Sequence, residues 1–181
     1  MKYLFSALCA FTALTVSLHS LAALQEGEAA PDFTVPAALA GETFEFSLDR
    51  ALEQGPVVLY FYPAAFTKGC TVEARSFAEA IDDYKALEAS VIGISNDDIE
   101  TLKSFSVEAC SSKFAVGADN KGSVIRAYDA ELGASPGRAN RISYVISPEG
   151  RIIYAYSSMN PDLHVPKTLE ALRAWKERGG H

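Results

Sequence analysis

Residues 57–70, VVLYFYPAAFTKGC, decide the fold. Val57 to Tyr62 is a continuous apolar run behind Gly55-Pro56, the pattern of a strand buried on both faces. From Cys70 onward Ala74, Phe77, Ile81, Tyr84 and Leu87 recur at steps of three and four, which is one face of a helix. Pro63 and a Thr67-Lys68-Gly69 bend separate the two patterns, so Cys70 stands where the helix begins.

Outward from this unit the same alternation continues. SVIGIS at 90–95 reads as a second buried strand. Asp97, three residues before Glu100, predicts a capping box for a helix that buries Ile99, Leu102, Phe105 and Ala109. FAVGAD at 114–119 reads as a strand, KGSVIRAYD as a short helix and DAELGASPGRAN as a loop. ISYVIS and RIIYAYS flank a Pro148-Glu149-Gly150 turn and predict a hairpin. HVPKTLEALRAWKER closes the chain as an amphipathic helix. Upstream, FEF at 44–46 is a short strand, and Leu24 to Pro36 a polar lead-in. This order predicts an α/β protein of thioredoxin-like fold, a central mixed sheet flanked by helices. Crossover helices put the strand-to-helix turns along one edge of the sheet, where sites form. Cys70 lies at such a turn.

The chain has 181 residues, 49% of them hydrophobic, enough for one domain with a substantial core. Its first 23 residues read differently: Lys2, an apolar stretch from Leu4 to Leu18, then small residues. That is the pattern of a cleaved signal peptide, too short for a membrane span. Residues 24–181 are then the folded domain, exported to the periplasm by this reading, with no membrane contact after cleavage. Two cysteines remain beyond the signal segment, Cys70 and Cys110, too few for a disulfide scaffold. The net charge is −7 and no Lys/Arg cluster tracks a phosphate backbone, which excludes nucleic acid as a partner. The histidines and cysteines lack metal-ligand spacing, so neither a metal nor a cofactor is expected.

A free cysteine is often only a packed residue. Here Gly69 and Thr71 flank it at a helix N-terminus, where unpaired N–H groups favour a thiolate. Residue 73 is Glu, so the turn has no Cys-x-x-Cys pair, which counts against a dithiol oxidoreductase. Pro63, Thr67 and Cys70 spell P-x-x-x-T-x-x-C. With the strand before it and the helix after it, this motif resembles that of the peroxiredoxins. The resemblance runs from about Gly27 to the last helix and includes APDF at 30–33, the LYFYP strand end and NRISYVI. It is strongest to the branch called bacterioferritin comigratory proteins, here with an export signal.

The resemblance implies a thiol peroxidase that reduces hydrogen peroxide or organic hydroperoxides in antioxidant defence. Cys70 would form a sulfenic acid, Thr67 would hydrogen-bond thiolate and peroxide, Arg141 would stabilise the charge, and Pro63 would roof the pocket. Arg138 competes with Arg141 but sits in the loop. Glu73 matches an acidic position common in the family and reads as a first-turn helix acid, and His164 as a solvated surface residue. The branch often places a resolving cysteine five residues after the first, where this chain has Arg75. Cys110 is the remaining candidate, and an external thiol the alternative. The reductant is a thioredoxin-like protein, a glutaredoxin-like protein or a small thiol, and the protein a monomer or homodimer. A periplasmic thiol–disulfide oxidoreductase and a non-catalytic redox sensor stand as alternatives.

Overall fold

The computed structural model describes residues 23–133 and 135–180; the signal segment lies outside them except for Ala23. Seven strands form one mixed sheet: β1 (Thr34–Leu39), β2 (Glu42–Ser47), β3 (Val57–Phe61), β4 (Ser90–Ser95), β5 (Ala115–Ala118), β6 (Ile142–Ile146) and β7 (Ile152–Ser157). Their order across the sheet is β2-β1-β5-β4-β3-β6-β7. The helices are α1 (Leu48–Leu52), α2 (Lys68–Glu79), α3 (Ile81–Ala86), α4 (Ile99–Glu108), α5 (Ser123–Ala127) and α6 (His164–Glu177).

The apolar run Val57–Phe61 is an interior strand of the sheet. β3 pairs parallel with β4 and antiparallel with β6, and all five of its residues are buried. Its side chains alternate between two cores. Val58 and Tyr60 pack with Phe77, Phe105 and Leu169, whereas Val57, Leu59 and Phe61 pack with Leu52, Ile125 and Ile152. A strand with no solvent face shows no period-2 polarity, hence the unbroken hydrophobic run.

The register of β3 with β6 positions the site. Phe61 lies opposite Ile142, so Arg141, just before β6, sits beside the chain leaving the carboxyl end of β3. That chain turns through Pro63 to Thr67 into α2, with Cys70 as its third residue. Two parts of the sequence far apart thereby converge on one sheet edge.

Three expectations need correction. The polar lead-in, Leu24 to Pro36, runs into a strand at Thr34: β1 is paired to β2 across an Ala40-Gly41 turn whose residues both have positive φ (53° and 82°). Pro36 disguises it, because proline is rare inside a sheet; β5 meets β1 only at Ala37 and Ala38, so Pro36 lies beyond that ladder. The helix read from Cys70 through Leu87 is two, broken at Ala80. Ile81 and Tyr84 stay in the same core cluster as Phe77, so the apolar period passes through the break unaltered. The cap of α4 is Asp98, whose Oδ1 accepts from Thr101 N–H at 2.8 Å. Asp97 instead serves the loop before Cys70.

Candidate active site

Cys70 belongs to the first turn of α2, whose leading backbone N–H groups have no partner within the helix. It is only 1% exposed. Arg141 approaches from β6, its Nη2 donating to Cys70 Sγ at 3.3 Å. Nη1 of the same guanidinium donates to Glu73 Oε2, and Nε donates to the Met159 carbonyl at 3.1 Å. Three directions of the planar fork are therefore fixed, which a flexible ammonium would not achieve. Gly69 makes room for this approach, since a Cβ there would stand 3.1 Å from Arg141 Nη2.

Glu73 follows Cys70 by three residues and so shares its side of α2. It was read from the sequence as a first-turn helix acid; the structure buries it completely, paired to Arg141. His164, read as a solvated surface residue, is also fully buried. Its Nε2 donates to the Ser158 carbonyl at 2.9 Å, and Ser143 Oγ lies 2.8 Å from its Nδ1. Nδ1 is also 3.5 Å from Glu73 Oε1. Both errors have one cause. Glu73 is the sixth residue of α2, past its first turn, and His164 opens α6; polar residues there look solvated in sequence, and only the packing of neighbouring elements covers them. A polar Ser143 inside the apolar ISYVI run was the available signal of a buried polar partner.

The loop before Cys70 is held by Asp97, whose Oδ2 accepts from Ala65 N–H at 2.7 Å and from Ser95 Oγ at 2.8 Å. Phe66 adopts a left-handed φ of 61° and sets its ring edge-on to Phe105 of α4, centroids 5.2 Å apart. Such a backbone state in a bulky residue is uncommon and costs about 1–3 kcal/mol, which the surrounding contacts must offset. Thr67 is exposed, and its hydroxyl donates to the Ala64 carbonyl at 3.0 Å rather than to Cys70. Pro63 is half-buried; Arg138 and Arg75 are exposed.

Cys110 lies beyond α4, in a turn with Ser111 and Ser112 at positive φ (52° and 57°). It is fully buried, and burial pushes its thiol pKa well up. Both cysteines are free thiols.

Burial sets the charge states around Arg141. It lifts the Glu73 carboxyl to about 8, outweighing the opposing pull of Arg141. It lowers His164 to about 4, with Arg141 adding to the effect and the Ser158 bond opposing it. The consequences for stability have opposite signs. The contribution of His164 is complete above about pH 6.5 and is lost as pH falls through about 4. That of Glu73 is complete below about 4.5 and is lost as pH rises through about 8. Relative to wild type, Glu73→Gln should therefore gain stability from pH 5 to 8, by up to about 1.4 kcal/mol per pH unit. Urea unfolding at each pH measures it, and parallel wild-type and variant curves would refute it.

The chain matches the AhpC/TSA family over residues 27–155. It is 34% identical over 155 residues to chloroplastic peroxiredoxin Q of Oryza sativa subsp. japonica, covering 83% of this chain and 68% of that one. The structure is similar to the crystal structure of peroxidoxin BcpB from Mycobacterium tuberculosis. That match has a TM-score of 0.76 and 31% identity, over 83% of this chain and 97% of the other. It is also similar to AhpC of Enterococcus faecalis, with a TM-score of 0.74 and 27% identity over 86% and 96% of the two chains.

Proposed function

The chain belongs to the AhpC/TSA family, the peroxiredoxins, which are thiol-dependent peroxidases, and from that premise we propose that Cys70 is its peroxide-reducing atom. The observation that carries this reading is the 3.3 Å contact from Arg141 Nη2 to Cys70 Sγ, with the guanidinium fixed at its other edges. It gives a sulfur anion an aligned, permanently charged donor.

In the proposed reaction the Cys70 thiolate attacks one peroxide oxygen and the O–O bond breaks. The sulfur becomes a sulfenic acid, and the leaving oxygen takes a proton to depart as water or an alcohol. Arg141 stabilises the negative charge as it moves from sulfur to the leaving oxygen. The N–H groups at the start of α2 add donors from the other side. Pro63 shields the sulfur from water. Thr67 keeps the loop in shape through Ala64, and its oxygen lone pairs remain available to an incoming peroxide proton. The oxidised enzyme is returned by a thioredoxin-like, glutaredoxin-like or small-molecule thiol. Residues 1–23 direct the chain out of the cytoplasm, into the periplasm, as a signal peptide, and residues 24–181 form the mature domain.

Cys110 is the proposed resolving residue. Both thiols are buried in one core cluster, and the bond is proposed to form by opening the end of α4, where Cys110 sits in its turn. Two consecutive serines in left-handed conformation cost about 1–3 kcal/mol each, which makes this segment readier to open than a relaxed helix end. The test is the intact mass of the reduced protein after one equivalent of hydrogen peroxide, followed by peptide mapping. A loss of two hydrogens mapped to Cys70 and Cys110 is expected. Cys110→Ser should stop at one added oxygen on Cys70 while sparing the first turnover. A stable added oxygen on Cys70 in wild type would mean an external thiol resolves it. No prompt change would refute the role of Cys70.

A further inference from the structure

Four ionisable side chains meet in the site, and none is more than 3% exposed: Cys70, Glu73, Arg141 and His164. An uncompensated charge there costs several kcal/mol, so the least costly state is neutral overall. Arg141 is always positive. It faces two acids, the sulfur through Nη2 and the carboxyl through Nη1. If both were ionised the cluster would carry an excess negative charge, and Arg141 would be divided between them.

The hydrogen bonds show where a proton relieves this. The Ser158 carbonyl can only accept, so His164 Nε2 carries the hydrogen and a neutral ring presents a lone pair at Nδ1. Ser143 Oγ donates to that nitrogen at 2.8 Å. Glu73 Oε1 stands 3.5 Å from it, fully buried and without a hydrogen-bond partner. Were the carboxyl ionised, an anionic oxygen with no donor would stand against a ring nitrogen that has no hydrogen to give, in a dry interior. A proton on Oε1 removes that charge and faces Nδ1, whose lone pair it shares with the nearer Ser143 hydroxyl. The alternative, an imidazolium, would put a second positive charge beside Arg141.

We propose that Glu73 works as a neutral acid, its proton on Oε1 directed at His164 Nδ1, so that Arg141 commits its charge to the Cys70 sulfur. This rests on the reading of Cys70 as the attacking atom. His164 is then a positioning residue: it never touches peroxide but sets the protonation of the group that competes with the sulfur. Burial acts in the same direction on both groups, raising the carboxyl and lowering the imidazole. The groups facing Glu73 are Cys70 on its own helix, Arg141 before β6, His164 of α6 and the phenol of Tyr60 from β3. The Tyr156 ring covers His164 at 4.9 Å. The cluster titrates as a set. Once its last proton leaves, Glu73 becomes an anion and Arg141 is divided.

The test uses reduced protein carrying ¹³C-labelled glutamate, with the Glu73 carboxyl resonance identified by its loss in Glu73→Gln. A neutral-acid shift at pH 6.5, moving to the carboxylate shift well above pH 7, is expected. Stopped-flow oxidation of Cys70 should slow severalfold from pH 7 to 9.5 in wild type, and this limb should vanish in Glu73→Gln. His164→Asn, whose amide can donate to an ionised carboxyl, should lower the Glu73 midpoint by about one unit, a tenfold change in its protonation equilibrium. A Glu73 carboxylate at pH 6.5, an imidazolium ¹⁵N signature for His164, or an unmoved midpoint in His164→Asn would each overturn the proposal. If His164→Asn fails to fold, the wild-type titration decides alone. The resonance titration needs no peroxide, so it stays readable if Cys70 is not the reacting atom. Conversely, an ionised Glu73 would leave the Cys70 assignment standing.

Discussion

Cys70→Ser is expected to lose peroxide consumption, by a factor of at least about 10⁴ in the rate of the first oxidation, equivalent to about 5.5 kcal/mol in the barrier. The substitution is nearly isosteric in a site 1% exposed, so the contacts of Arg141 and the start of α2 should survive it. What changes is the atom proposed to react. A serine oxygen is a far weaker nucleophile toward peroxide than sulfur, and it has no accessible counterpart of the sulfenic acid. Consumption of hydrogen peroxide and of an alkyl hydroperoxide by reduced protein, with circular dichroism to verify the fold, measures the effect. Consumption within tenfold of wild type would move the reaction away from Cys70 entirely. Cys110→Ser serves as the internal control, because it removes a thiol without touching the Arg141 contact.

The fold was legible wherever one strand or helix carried its own pattern. VVLYF, SVIGIS and ISYVIS announce buried strands by composition, and the Pro148-Gly150 turn announces the hairpin of β6 and β7. β1 was not legible, because Pro36 and the alanines give it neither period nor β-branched density. The site divides in the same way. Cys70, Pro63 and Thr67 fall within eight residues and could be read as one motif. Arg141 was recognisable because it abuts a strand and matches the position that the peroxiredoxin resemblance implies. Glu73 and His164 were misjudged because their burial is a property of three elements packed together: α2, β6 and α6. Asp97 was placed in the right turn and given the wrong task. A capping acid and a loop-bracing acid look identical in sequence, and only the Ala65 N–H contact separates them.

Arg141→Lys is expected to slow Cys70 oxidation by about 10²–10³-fold, or about 3–4 kcal/mol, while the protein stays folded. Charge alone is kept by this change; what is lost is the fork. Arg141 meets Cys70 Sγ, Glu73 Oε2 and the Met159 carbonyl with three different nitrogens, and an ammonium on a flexible stem cannot hold all three directions. If the ammonium goes to the carboxyl, the sulfur is left with the helix N–H groups alone. A rate within about fivefold of wild type would show that position matters less than charge, and would undercut the contact that carries the assignment of Cys70 as the reacting atom. Stability separates the same variants differently. Removing one partner of a buried ion pair costs about 3–5 kcal/mol because a charge is stranded. A neutral Glu73 strands none, so Arg141→Met should cost distinctly less than that at pH 6.5 and approach it above pH 8, where the carboxyl ionises. Urea unfolding of Arg141→Met at the two pH values therefore reads the proton on Glu73 from the thermodynamic side, independently of any peroxide chemistry.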